Sequence, residues 1–404
     1  MSRPFLASAP RGEPERELTV RAITTDEEFD RLAPAWDRLM EQARMDNPFV
    51  SFACMRTAWE CFGEGNRLHI LVVQEGDEPV AIAPLMLGTV RLMGLRLRRL
   101  SFIHHVAIER LDFIVAKQHE GAYAAIWSYL RERRDLWDIL VLPQIPAASR
   151  TLFEFPRCAA RDGFLTGFWR SADAMYVRVR GEWDAYIDKL DGRHRANLRR
   201  RLRRLAREHV VDLDYVSPGD DLEAAIDDGL RIEAAAWKGE AGTAIASLPK
   251  VRAFYTKLAR RCASRGWLRL RFLTVDGRRV AFSYALVFRN VFYSLKSGYD
   301  PEAAAHSPFT LMSYMMLRDA FTRRMSRYEF LGPADSWKLA WTRRSHPHCW
   351  LFVLPRTPWA WALHRVKFRL IPRLRRHPAL APVRSALLRL LDRSPREHRA
   401  PAAR

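Results

Sequence analysis

The chain has 404 residues, 48% of them apolar with 13 Trp and 21 Phe, more than one typical core needs, and this excludes wholesale disorder. Its formal net charge is +21, and 13 Lys/Arg against 2 Asp/Glu from Arg356 onward place +11 of it in the last 49 residues. That balance points to phosphates, acidic lipid head groups or nucleic acid without choosing among them.

Residues 1–16 read as a flexible leader, and MSRPFLASAPRGEPERE lacks the apolar core of a signal peptide. ELTVRAITTDEEFDRLAPAWDRLMEQA then gives a strand, a Thr/Asp cap and an amphipathic helix. FACMRTAWECFGEG is helical and ends at Gly, and LHILVVQEGDEPVAIAPLML (68–87) is a strand, a turn and a strand. Another strand region follows, then the helix HEGAYAAIWSYLRERRD and the short strand WDILVLP. The succession returns as RAFYTKLARRCASRG, LRLRFLTVDGRRVAFSYALVF, SPFTLMSYMMLRDAFTRR and RYEFLGP. Val80-Ala81 answers Val280-Ala281 at an offset of 200 residues, which drifts to about 190 by the last strands. A duplicated α/β (α+β) unit is expected, over 17–175 and 176–355, followed by a basic helical tail over 356–404. The order lacks regular βαβ alternation, so neither unit is doubly wound.

Five scattered cysteines without a CxxC pair fit a reduced, cytoplasmic compartment. Uncharged runs such as Ser345–Pro355 fall short of the roughly 20 residues that span a bilayer, so the expectation is a cytoplasmic protein, peripheral at most at the inner face of the cell membrane.

RANLRRRLRRLAREH (195–209) carries seven arginines. Leu198, Leu202, Leu205 and His209 share one helical face, with Arg199, Arg200, Arg203, Arg204 and Arg207 over the other side. That is a docked helix whose arginines suit an anionic partner. No helix-turn-helix, zinc finger or RNP pattern supports a nucleic-acid module. In LRIEAAAWKGEAGTAI, Glu233 and Trp237 lie four apart on a helix. In FYSLKSGYDPEAAAHSPFTLMSYMMLRDAF a strand ends at Gly298-Tyr299-Asp300 and a helix starts at Ser307-Pro308. Free N–H groups at such a start form a ready site for pyrophosphate. Phosphate-loop, dinucleotide and nucleophile-elbow signatures are absent, and His104-His105 and His346-x-His348 read as structural, so no metal is expected. In the tail, Pro372, Pro378 and Pro382 break two short segments, the second with Val383, Leu387, Leu390 and Leu391 on one face.

Six pieces in order carry a resemblance: Arg195–Arg207, EAAAWKGEAGTAI (233–245), Phe254-Tyr255, DGRRVAFSYAL (276–286), SGYDPEAAAHSPFTLM (297–312) and FLGPADSWKLAW (330–341). Over about 160 residues the second half resembles the GNAT-like acyltransferases grouped around the cellulose-biosynthesis protein CelD, relatives of the FemAB-type aminoacyl transferases. The resemblance implies tandem GNAT-like domains, the first degenerate. It also implies acyl transfer from a thioester, acyl-CoA or acyl carrier protein, with no permanently bound cofactor. Splayed strands would admit the pantetheine arm, and the turn Ser307, Phe309, Thr310 and Leu311 would receive the pyrophosphate, with Arg199 and Arg203 as further phosphate ligands. Phe309 stands where family members commonly carry Gly, which puts CoA binding at this turn in doubt and makes a carrier-protein donor one way around it. Aminolysis of a thioester needs a base and a polarised carbonyl. Asp300 or Glu233 is the expected base, Tyr299 the proton donor to the leaving thiolate and Lys338 a phosphate or oxyanion contact. Trp237, Trp337 and Trp341 are expected to line the core or the acyl channel.

The reading that follows is an N-acyltransferase acting on an amine, an amino lipid such as a long-chain base or a polysaccharide precursor, docked on an anionic membrane through its tail. Two alternatives are a non-catalytic GNAT-like scaffold in polysaccharide synthesis and a FemAB-like transferase that takes its group from aminoacyl-tRNA.

Overall fold

Strand Leu18–Ile23 alternates half-buried and exposed residues down to a buried Ile23, while Ile70–Val73 is buried throughout, as expected for an edge strand and its inner neighbour. The computed structural model describes residues 17–217, 220–235, 247–374, 377 and 380–391. Among them the strands form three sheets. The first holds Leu18–Ile23, Ile70–Glu75, Glu78–Ala83 and Ile114–Val115. The second holds, in spatial order, Arg67–Leu68, Leu85–Leu92, Leu95–Phe102, Ile139–Pro146, His348–Leu354 and Leu165–Arg170. The third holds Val211–Tyr215, Leu268–Val275, Arg278–Phe288, Val291–Tyr299, Arg327–Glu329, Ala174–Arg178 and Ser345–His346.

The duplication read from the sequence is visible in this order. Helix Phe52–Phe62 precedes one hairpin and helix Pro249–Ala263 the other. In each half one parallel pair closes the set, Leu95–Phe102 with Ile139–Pro146 and Val291–Tyr299 with Arg327–Glu329. The mixed α/β architecture is the fold class expected from the sequence.

One strand crosses between the halves, and another starts at the expected boundary and joins the second. Ala174–Arg178 pairs antiparallel with Arg327–Glu329 and extends the third sheet. His348–Leu354, inside the range 176–355 expected for the second unit, is hydrogen bonded between Ile139–Pro146 and Leu165–Arg170 of the first. The first half therefore receives a strand from beyond its own end. The two preceding helices also pack on each other, and one apolar cluster runs from Ile23 and Trp36 through Phe254 to Phe272 and Tyr284. Arg261 binds Glu60 at 2.6 Å and Thr57 at 2.7 Å across this contact.

The tail forms helix Pro358–Arg365, a π-helical turn over Val366–Leu370 and the helices Ile371–Leu374 and Ala381–Leu391. Its Ala360, Leu363 and Ile371 are buried against Leu97, Ile139, Val141 and Leu354 of the second sheet, with Leu387 packed at the edge. Other apolar side chains of the tail, Trp361, Leu370, Leu380 and Val383, are exposed. No helix among the described residues is long and apolar enough to cross a membrane.

Candidate active site

Strand Val291–Tyr299 pairs along its length with Arg278–Phe288, but its other edge meets Arg327–Glu329 only at Val291, Phe292 and Tyr293. The partner chain then leaves, since the Phe330 amide donates to the Met175 carbonyl at 2.9 Å. Residues 294–299 are left with no strand on that edge among the described residues, which leaves an opening in the sheet beyond Tyr293. A bulge at Leu295 lies where the opening begins, Tyr284 facing Lys296 and Ala285 facing Ser294.

On one side of this strand stands helix Leu222–Ala235. Glu233 on it is buried, and a Cβ added at Gly298 would meet Glu233 Cα at 2.9 Å. Tyr255 from helix Pro249–Ala263 is buried beside it, and Lys296 Nζ lies 5.5 Å from the Tyr255 ring centroid. Burial first, then the negative charges of Glu109 and Glu233, pushes the Tyr255 phenol well above its ordinary value. Glu109 comes from the first half. Its Oε2 accepts the Gly332 amide at 2.6 Å. Carboxylates from both halves thus act on one phenol near the open strand. Glu109 was missed in the sequence because only the fold brings residues 109 and 332 together.

On the other side, helices Gly192–Glu208, Pro308–Thr322 and Ser336–Leu339 enclose a cavity of about 150 Å³. His194, Asn197, Arg201, Phe309, Thr310 and Trp337 line it, together with Trp341. Arg201 Nη1 donates to Thr310 Oγ1 at 3.4 Å. Burial lowers the His194 pKa, with Arg201 helping and Asp191 opposing, and its Nε2 is a buried atom without a hydrogen-bond partner. The Phe309 ring meets Trp337 edge-on at 4.6 Å and Tyr299 at 6.3 Å, so rings connect the strand end to the cavity.

Of the residues singled out in the sequence, Phe309, Thr310, Trp337 and Trp341 are brought together in this cavity. Leu311 is buried in the core instead. Ser307 precedes the helix with φ +54°, yet its side chain makes no capping bond, contrary to the expected Ser cap. Its carbonyl takes the Thr310 and Leu311 amides at 3.0 and 3.2 Å, and Pro308 has no N–H. Arg199 and Arg203 are exposed and do not line the cavity, and Arg199 lies 3.8 Å from Asp188. Arg201 takes their place, because residues 194, 197, 198 and 201 share a helical face that 199 and 203 leave. Asp300 pairs with Arg278 and accepts the Glu302 amide at 3.0 Å, starting the 3₁₀ turn Pro301–His306. Lys338 Nζ contacts the carbonyls of Leu331 and Pro333 at 2.8 and 2.9 Å and Asp335 at 3.1 Å, which occupies all three of its donors. Trp237 lies outside the described residues.

Behind the opening, buried Glu329 collects Arg110 at 2.6 Å, with Arg327 and His346 each at 3.3 Å. Burial would raise the Glu329 pKa, but His346 and Arg110 outweigh it and hold it below the usual carboxylate value. His348, also buried, is pushed down to about 4 by desolvation. No group of three or more His, Cys, Asp or Glu side chains that could hold a metal ion occurs among the described residues.

Comparison with known proteins bears on the same region. Residues 192–339 match the family model described as an acetyltransferase (GNAT) domain. Among solved structures the chain is similar to FemX (10% identity, 82% of this chain and 98% of that one, TM-score 0.54). It is also similar to a conserved protein of unknown function from Bacteroides thetaiotaomicron VPI-5482 (10% identity, 83% and 100%, TM-score 0.52). A tandem GNAT protein from the clavulanic acid biosynthesis pathway aligns at 14% identity over 85% and 99%, with a TM-score of 0.44. At these identities the likenesses speak to the fold alone. No curated protein sequence matches the chain.

Proposed function

We propose that the chain is a GNAT-type N-acyltransferase that moves an acyl group from a phosphopantetheine thioester, acyl-CoA or acyl carrier protein, to the amine of an acceptor. The observation that carries the reading is the strand 291–299 left open from Ser294 to Tyr299, inside the stretch that matches the acetyltransferase domain. An open strand edge offers N–H groups to a thioester carbonyl at no cost of reorganisation. The amine attacks that carbonyl, the C–N bond forms and the C–S bond breaks. Glu233, with Glu109 beside the same phenol, is the base for the ammonium proton, and Tyr299 supplies the proton to the thiolate. Lys338 acts through the loop it pins rather than on the substrate, and Asp300 as the cap it forms.

The acceptor is proposed to be an amino lipid such as a long-chain base, or a polysaccharide precursor held at a membrane. Exposed Trp361 and Leu370, with exposed Arg365, Arg369 and Arg373 at helical spacing, support docking on an anionic bilayer. The narrower kinship with CelD-like acyltransferases is part of the same proposal and rests on the six motif pieces.

The test is thiol release from short- and long-chain acyl-CoA and acyl carrier protein with a long-chain base, glucosamine and ethanolamine. Acyl-dependent release that needs the amine is expected. Absence of release with every donor, together with no thermal shift, overturns the reading. Flotation with phosphatidylglycerol vesicles tests the docking: Trp361→Ser with Arg365→Glu and Arg369→Glu should abolish it, and unchanged flotation would refute it. Truncation before Arg356 is unsuitable, because it uncovers Leu97, Ile139 and Val141.

A further inference from the structure

The arginine-rich helix Gly192–Glu208 holds eight arginines and one glutamate, a net +7, over a length of about 25 Å. At 100° per residue its surface divides into sectors. Leu198, Leu202 and Leu205 face the core, and His194, Asn197 and Arg201 face the cavity. Arg193, Arg200, Arg204 and Arg207 fall within one further sector, on the cavity's side of the helix, and all four are exposed. Arg200 Nη2 donates to Asn197 Oδ1 at 2.9 Å, which ties this stripe to the cavity wall. Only Arg204 of the four has an acidic partner among the described residues, Glu208 at 3.1 Å.

The cavity itself accepts little. About 150 Å³ is less than the roughly 300 Å³ at which pockets begin to bury a small organic ligand, and the nucleotide half of CoA is larger still. The helix start beside it is poor in donors: Pro308 lacks an N–H and the Thr310 and Leu311 amides already bond Ser307, leaving the Phe309 amide. Arg201 and the Thr310 hydroxyl complete a set suited to one phosphate group rather than three. A pantetheine arm on a protein serine carries one phosphodiester and no nucleotide. The carrier proteins that bear it are acidic, and their charge complements the stripe.

We propose that the acyl donor is an acidic acyl carrier protein, docked on the stripe Arg193, Arg200, Arg204 and Arg207 with its phosphodiester at Arg201. This deepens the acyl-transfer reading and rests on it. The reaction is RCO–S–pantetheine-carrier plus a neutral amine giving the amide and the free carrier thiol, with the N–H proton of the adduct taken by the base, Tyr299 protonating the thiolate and the base returning its proton to Tyr299. A bilayer is the poorer occupant, since no large apolar side chain of this helix is exposed.

The full chain is assayed with one acyl group on acyl carrier protein and on CoA, in parent and in Arg193→Glu/Arg200→Glu/Arg207→Glu. Melting curves of the two should coincide, because these side chains are exposed. The expected result is a KM for the carrier that rises about tenfold or more in the variant and with salt, while the CoA KM changes less than about threefold. Equal effects on both donors, turnover of acyl-CoA but not of the carrier, or binding of the parent to tRNA or vesicles that the variant loses in place of carrier binding would each overturn docking while leaving acyl transfer standing. No thiol release from either donor overturns acyl transfer itself. In that case salt-dependent binding of the carrier, measured by fluorescence anisotropy, still decides docking, and its absence overturns it.

Discussion

At Gly298 a Cβ would stand 2.9 Å from both Glu233 Cα and Phe282 Cε1, closer than carbon atoms approach without something moving. Gly298→Ala should therefore push strand and helix apart and cost about 1–3 kcal/mol, read as a lower Tm together with lost thiol release. An unchanged Tm would show that helix Leu222–Ala235 does not press on the strand this closely. The buried histidines set an acid limit. His348 and His69 are both held down to about 4 by desolvation, so the folded chain binds fewer protons there than an unfolded chain with ordinary values near 6.5. Their contribution is complete above about 6.5 and is lost as pH falls towards 4, and the depressed Glu329 carboxyl adds a loss of the same sign at lower pH. Melting curves should fall from pH 7 to pH 4, and His348→Gln should flatten part of that fall. A Tm independent of pH over this range would contradict the buried neutral imidazoles. Glu233, Phe309 and Trp337 could be picked from the sequence because motif pieces contain them. Arg201 could not, since seven arginines in one run look alike until the leucine face is docked.

At the scale of one element, the helix Gly192–Glu208 behaves as its pattern dictates. Asp191 caps it by accepting the His194 amide at 3.0 Å, and Leu198 and Leu205 are buried. Leu198→Ala should cost about 2–5 kcal/mol, whereas Arg199→Ala on the exposed side should cost under about 1 kcal/mol, both measured by denaturant titration. Equal losses would mean that the helix is not held by its leucines. Periodicity found this helix and both repeated hairpins, because amphipathic spacing is a local property. It did not show that His209 leaves the helix for Asp276, at 2.6 Å, since that depends on a turn 67 residues away.

At the scale of the molecule, the insertion of His348–Leu354 between two strands of the first half joins the halves through backbone hydrogen bonds as well as through the shared apolar core. Ending the chain at residue 346 removes a central strand of the second sheet and its tail cover. The truncated protein should aggregate or melt without a cooperative transition, and a sharp transition near the parent Tm would show that the halves are independent. Single-stage unfolding of the full chain in differential scanning calorimetry is the matching expectation.

The sequence by itself determined the repeated α/β order and the docked basic helix, because hydrophobic period and capping residues are written locally. The acetyltransferase likeness of the second half came from resemblance, and the family model matches residues 192–339. The tertiary structure alone decided that Glu109 reaches Gly332, that Arg201 rather than Arg199 or Arg203 lines the cavity, and that the tail buries Leu363 and Ile371 against the first half. Those outcomes depend on which surfaces meet, and contacts across more than 100 residues leave no periodic trace in the chain.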